Sequence, residues 1–344
     1  MFDPVEAHTT VCEVRRAPDS QEQPEELRDY LLRSADELRG AVVFPTRDFD
    51  LLFLDHFRAD LSPCYRLCIP SHECLGRVLD KQKLMAVAKE AGVSVPRTMK
   101  VSSGQDLLRV ACEVSFPCVV KPVSSSQWRT PGSWTRVGGR TAFLVRDLLE
   151  LQEEYQRVSS VLPDVLIQEW IPGPTGQIAV LGGYVDEGGE PLTFFTAYKV
   201  LQSSDDFGTG CIVRSEEIPE LLEPTIRLWR ALEYQGMAEV EYKYDSRNGE
   251  HKLIEINARH WDQHHLGSAR WLGKRTALWY AYRGRSDKQW FKMPLSSEAA
   301  IFMSLAVEAE GRPQIDSTEG IIRVAYIEQH PATGIAVLER IENR

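Results

Sequence analysis

Apolar residues recur along the chain in two periods, and the switches between them mark out its elements. From Pro24 onward Leu27, Tyr30, Leu31, Ala35 and Leu38 fall at helical spacing, so a helix opens at Pro24-Glu25-Glu26 and stops at Gly40. Ala41 to Phe44 reads as a buried strand and Tyr65 to Ile69 as a second one. Between them, Asp48 to Asp60 carries Phe49, Leu52, Phe53 and Phe57 on one helical face. Strand, helix, strand in that order predicts an α/β unit with a parallel sheet. A short apolar stretch, Val11 to Val14, precedes it.

The pattern then predicts a helix over Leu79–Ala91 ended by Gly92, and one from about Asp106 to Glu113 capped by Ser102 or Ser103. A short strand over Phe116–Pro122 ends in Lys121, and a loop with three consecutive serines runs from Val123 to Arg140. A helix follows over Asp147–Val158. Strands follow over Val165–Trp170, Gln177–Val185 and Leu192–Val200, and a further helix ends at Tyr234. No internal repeat or low-complexity linker interrupts the series, so the parts are expected to pack against one another.

The densest chemistry lies in two strand-like runs, Met237–Tyr244 and His251–Asn257, around a turn containing Asn248-Gly249. Pairing symmetric about residue 248 sets Glu241 opposite Glu255 and Glu239 opposite Asn257. Strand alternation then gathers three carboxylates and an amide on one face. Like charges so placed repel, and a divalent cation relieves the repulsion; all-oxygen ligands select a hard ion such as Mg²⁺. The alternative is a solvated acidic face balanced by Lys243 and Lys252.

Composition narrows the function classes. The 344 residues are 43% hydrophobic and 26% charged, as in a soluble globular protein of about two domains. Forty Lys and Arg against fifty Asp and Glu leave a net charge of −10, the wrong sign for nonspecific nucleic-acid binding. No apolar run is long enough to span a membrane, and Met1–Glu6 has no signal-peptide character. Seven cysteines with no C-x-x-C point to reduced thiols in a cytoplasm, and Cys64, Cys68, His72 and Cys74 match no common zinc spacing.

Four stretches occur in the order used by the ATP-grasp superfamily: Leu79–Leu84 with Ala91–Pro96, Phe116–Pro122, Leu166–Gly173 and Glu255–Arg259. The chain resembles an ATP-grasp ligase of the carboxylate–amine type, with a core like those of biotin carboxylase and D-alanine–D-alanine ligase. The resemblance covers about residues 76–270. It implies an ATP-grasp fold, α/β and α+β. Residues 1–78 would form a short pre-ATP-grasp α/β domain, shortened at its start. Residues 79–166 would be the first ATP-grasp subdomain, and 167–344 the second with a C-terminal extension.

The same resemblance implies roles. Lys81 and Lys121 would contact ATP phosphates, and the Ser124–Gly139 loop would close over them, with Ser124, Ser125 and Ser126 where relatives carry glycines. Gln168, Glu169, Trp170 and Ile171 would hold adenine through backbone groups, with no acidic residue behind them for the ribose. Lys199 would serve the nucleotide or the acceptor, beside a mobile loop at Asp205–Gly210. Glu241, Glu255 and Asn257 would bind Mg²⁺ or Mn²⁺, with Glu239 behind them. Arg259 would stabilise the acyl centre. His260, Trp261, His264 and His265 are read as packed or exposed. The region after Arg270, with Trp271, Trp279 and Trp290, matches no motif. The implied reaction joins a small-molecule carboxylate to an amine, such as amino acids, through an acyl phosphate, releasing ADP and phosphate. Alternatives are an ATP-grasp carboxylase or thiol ligase, or a nucleotide-binding protein without turnover.

Overall fold

The computed structural model describes residues 15–160, 162–203 and 207–261, and beyond them strand backbone between 278 and 326. Two compact units emerge: Pro18–Ala197 with Glu217–His264, and Met1–Ala17 with Tyr198–Glu216 and His265–Arg344.

The first unit opens with α1 (Pro24–Leu38), bounded as its apolar spacing predicts, with Glu25 and Glu26 in the first turn. Strands β1 (Val42–Val43) and β2 (Arg66–Leu67) pair in parallel across α2 (Asp48–His56) and α3 (Arg58–Leu61). The strand–helix–strand order is therefore as expected, but β1 is not the buried strand its composition suggests. Val42 is 49% exposed and Phe44 46%. The sheet has only these two strands, so β1 keeps an open face.

Helix α4 (His72–Val78), capped by the Ser71 hydroxyl, was not foreseen, because its seven residues mix polar groups with Gly76. Helix α5 (Lys81–Glu90) starts at Lys81 because the Asp80 carboxylate accepts from the amides of Gln82 and Lys83.

A four-stranded antiparallel sheet follows. It is built from β3 (Thr98–Val101), β4 (Cys118–Pro122), β5 (Phe143–Val145) and β6 (Val165–Glu169), in the order β3-β6-β4-β5. Helix α6 (Gly104–Ala111) is capped by Ser103 and α9 (Leu148–Ser159) by Asp147. Both pack Leu107, Val110, Leu151 and Val158 onto Val120, Phe143 and Ile167. The stretch read as a loop over Val123–Arg140 contains two short helices, α7 (Ser125–Trp128) and α8 (Pro131–Arg136). Trp128 and Val137 sink into the same core, which anchors a segment whose serines and glycines hid it from periodicity.

The second sheet of this unit runs β11-β10-β7-β8, from β7 (Ile178–Val185), the start of β8 (Pro191–Ser203), β10 (Gly236–Asp245) and β11 (Glu250–Asn257). Helix α10 (Leu222–Leu232) buries Leu228 and Trp229, and its Thr225 hydroxyl meets Tyr242 Oη of β10 at 2.8 Å. Gly182 on β7 leaves room for Trp261, since a Cβ there would stand 2.3 Å from the indole.

In the smaller unit the far part of β8 leads to β9 (Thr209–Ser215). Strand β14 (Ile301–Ala306) pairs antiparallel with β9 and parallel with β12 (Leu278–Tyr282). Strands β13 (Phe291–Pro294), β15 (Pro313–Asp316) and β16 (Ile321–Tyr326) form a three-stranded sheet. Val11–Val14, Asp205, Asp206, His264, His265, Trp271 and Trp290 lie outside the described residues. Among the described residues no helix is long and apolar enough to cross a membrane.

Candidate functional site

The hairpin of β10 and β11 sets the site. Glu239 pairs with Asn257 and Glu241 with Glu255, as the spacing about the turn predicts. A bulge next to this pair then shifts the register by one, so that Lys243 faces Lys252 and Asp245 faces Glu250. Strict alternation would have put Leu253 on the face of Glu255. The bulge buries Leu253 completely and gives that place to Lys252. Glu239 and Glu241 are only 3% and 8% exposed, which removes the solvated-face alternative. The Asn257 amide donates to Glu239 Oε2 at 2.9 Å and to Glu241 Oε1 at 3.4 Å.

Two lysines stand near this row. Lys81 is buried at the start of α5, where its amide donates to the Val123 carbonyl. Its Nζ donates to Ser125 Oγ at 2.7 Å and pairs with Glu255 Oε2 at 3.1 Å. Lys121, on a strand buried along its whole length, donates to Gln168 Oε1 at 2.8 Å, and Gln168 Nε2 donates to Thr98 Oγ1 at 2.8 Å. Burial, reinforced by the charge of Lys81 and opposed by Glu255, lowers the Lys121 ammonium to about 7. Ser124 and Ser126 share a hydroxyl–hydroxyl hydrogen bond of 3.0 Å.

Arg259 is clamped on three sides. Its Nε donates to Asp48 Oδ1 at 2.7 Å, and its two terminal nitrogens donate to the His260 carbonyl at 3.2 Å and Asn257 Oδ1 at 3.4 Å. Burial works against its charge, but Asp48 together with Glu239 and Glu255 raises its pKa above the ordinary value. His260 and Trp261 are packing residues: Trp261 is 5% exposed and lies over Phe195 at 6.1 Å between ring centroids.

In the segment Gln168–Ile171 the polar side chains are engaged within the protein. The Gln168 side chain is spent on Lys121. The Glu169 amide donates to the Arg97 carbonyl within the sheet, and its carboxylate binds Arg247 and Lys252. Half-buried Trp170 and buried Ile171 follow the strand end. Beyond them, buried Lys243 donates to the carbonyls of Gly173 at 2.9 Å and Pro174 at 2.5 Å, and burial lowers it to about 8. Lys199 is buried on the part of β8 that belongs to the other unit.

A small cleft opens between these groups, with Asp48, Lys81, Ser124, Ser125, Glu255 and Asn257 as its polar lining. Among the described residues no three His, Cys, Asp or Glu side chains form a ready-made metal cage. Two carboxylates and an amide nevertheless fit Mg²⁺, which keeps waters and takes further oxygens from substrate phosphates. The contacts Asp48–Arg259, Gln168–Lys121 and Lys243 with the Gly173 and Pro174 carbonyls carry no signal in the sequence. Asp48 meets Arg259 across 211 positions, which no local spacing signals.

Residues 210–270, which include the whole carboxylate row and Arg259, match the family model described as carbamoyl-phosphate synthase L chain, ATP binding domain. Biotin carboxylase from Campylobacter jejuni, solved as a βγ-ATP complex, superposes with a TM-score of 0.58 at 18% identity, covering 73% of this chain and 56% of that one. The chain has the ATP-grasp fold, and its residues 210–270 are similar to that ATP-binding domain. The D-aspartate ligase of Enterococcus faecium (strain Aus0004) is 24% identical over 238 residues, 66% of this chain and 55% of that protein. The D-alanine–D-alanine ligase of Ectopseudomonas mendocina (strain ymp) is 28% identical over 183 residues, 52% of this chain and 55% of that protein. The chain thus spans about half the length of the relatives it matches.

Proposed function

We propose that the protein is an ATP-dependent ligase that joins a small carboxylic acid to an amine, with amino acids as the substrate class. The single observation that carries this reading is the convergence of Lys81, Glu255, Asn257 and, through Asn257, Arg259 on one cleft. Glu241, Glu255 and Asn257 would hold Mg²⁺ or Mn²⁺, and the ion would neutralise charge on the ATP phosphates. Lys81 and Lys121 would flank the moving phosphoryl group. A substrate carboxylate oxygen attacks the γ-phosphorus, the bond to ADP breaks, and an acyl phosphate forms. The amine nitrogen then attacks the acyl carbon, sheds a proton, and phosphate leaves. Arg259 would meet the negative charge of the acyl phosphate and of the tetrahedral centre formed from it, where a rigid fork of donors is worth most.

The named activities of D-aspartate ligase and D-alanine–D-alanine ligase support amino-acid substrates. The described cysteines are all free thiols, which suits a reducing cytoplasm. The test is ADP release from Mg·ATP with pooled D- and L-amino acids. Release that needs both the pool and the metal supports the reading. ADP formed only when bicarbonate is supplied would replace it by the carboxylase alternative, and ADP formed equally with no acceptor would reduce it to ATP hydrolysis.

A further inference from the structure

Arg259 is held by a residue from the far end of the sequence. Asp48 begins α2, and the backbone leading into it is pinned along the end of β11. The His260 amide donates to the Pro45 carbonyl at 2.9 Å, and the Phe44 ring meets His260 edge-on at 5.0 Å. The Asp48 carboxylate thereby enters the cleft, where it is 13% exposed against 15% for Arg259. Its Oδ1 accepts from Arg259 Nε at 2.7 Å, while Oδ2 faces Arg129 at 3.9 Å. The other two contacts of the guanidinium are to oxygens of neutral amide groups, on His260 and Asn257. A long side chain so clamped has lost its rotamer freedom before any ligand arrives.

We infer that Asp48 is a positioning residue, which fixes the plane and direction of the Arg259 guanidinium beside the cleft that Asp48 and Asn257 line. The inference rests on the ligase reading, in which Arg259 meets the phosphorylated centre. Asp48 itself touches no reacting atom. Losing it should therefore spare ground-state nucleotide binding and weaken only interactions that mimic the transferring phosphoryl group.

The experiment uses the full chain and calorimetric binding of Mg·ADP, with and without aluminium fluoride as the phosphoryl mimic. Asp48→Asn and Asp48→Ala should lose far less affinity for Mg·ADP than for its fluoroaluminate complex. The extra tightening by fluoroaluminate should fall about tenfold or more, and Asp48→Glu should recover part of it. Unchanged tightening in Asp48→Asn, or an equal loss of Mg·ADP and fluoroaluminate binding with no recovery by Asp48→Glu, overturns the positioning role. If the parent chain binds no Mg·ADP, the ligase reading falls instead. The Arg259 Nε–H resonance, assigned with Arg259→Lys, then decides the inference. Slow exchange that is lost in Asp48→Asn upholds it, and identical exchange in both proteins overturns it.

Discussion

Replacing Lys121 by methionine should make the nucleotide-free protein more stable while stripping it of nucleotide affinity. Burial on β4 takes the ammonium from 10.5 to about 7. At 1.36 kcal/mol per unit, keeping the charge inside the folded protein costs roughly 5 kcal/mol. The unfolded chain holds the proton up to its ordinary pKa, whereas the folded chain releases it near 7. The penalty is therefore present in full below pH 7 and fades as pH climbs toward 10. Methionine fills similar space without charge, but it orphans Gln168 Oε1, which returns about 1–3 kcal/mol of cost. The expected net gain at pH 7 is about 2–4 kcal/mol, vanishing or reversing near pH 10. Urea denaturation at both pH values measures it, and calorimetry with Mg·ATP at pH 7 measures the lost affinity. A variant destabilised equally at both pH values that binds Mg·ATP normally would refute the reasoning and make Lys121 an ordinary packed lysine.

The same shift predicts proton uptake. Phosphate restores the Lys121 charge, so Mg·ATP affinity should fall as pH rises from 7 to 9, and calorimetry in two buffers of different ionisation heat should show a linked proton at pH 8. An affinity flat across that range contradicts it. Glu241→Gln and Glu255→Gln should each lower Mg·ATP affinity by about 10–100-fold without unfolding the chain, and chelation should abolish binding; normal binding would remove the metal assignment. Residues 124–139 should gain amide protection when Mg·ATP binds, with the smallest change at buried Trp128; equal protection in both states counts against a covering segment. Arg259→Lys should slow turnover by about 10²-fold with nearly unchanged nucleotide affinity, whereas a destabilised but fully active variant would leave Arg259 a purely structural partner of Asp48.

How much of this was legible in the sequence depended on how local the cause was. The hairpin declared itself because its turn and its alternating carboxylates lie within about twenty residues. Its pairings at Glu239 and Glu241 followed from counting alone. The bulge beside them did not, because a bulge is favoured by what each face packs against, here the complete burial of Leu253. The helix at Leu148 opens where the spacing set it, behind its cap Asp147, whereas the apolar pattern starts the earlier helix at Leu79, two residues before the Asp80 cap lets it begin at Lys81. Strand β1 was misjudged because Val42, Val43 and Phe44 look like core residues, yet only one strand pairs with them. The helices α7 and α8 escaped notice because Trp128 sinks among residues up to about forty positions away. Asp48 beneath Arg259, and Gln168 beside Lys121, are products of the folded topology, which brings together side chains that no spacing rule connects.

If one cleft makes an acyl phosphate from ATP and a carboxylate, a carboxylate oxygen must pass to the released phosphate, which isotope transfer can follow. Amino acids labelled with ¹⁸O in both carboxylate oxygens, supplied as a pool with Mg·ATP and unlabelled water, should yield inorganic phosphate carrying one ¹⁸O per molecule, in step with ADP. Phosphate that stays unlabelled while ADP accumulates would mean that the carboxylate was never phosphorylated, and would contradict the account.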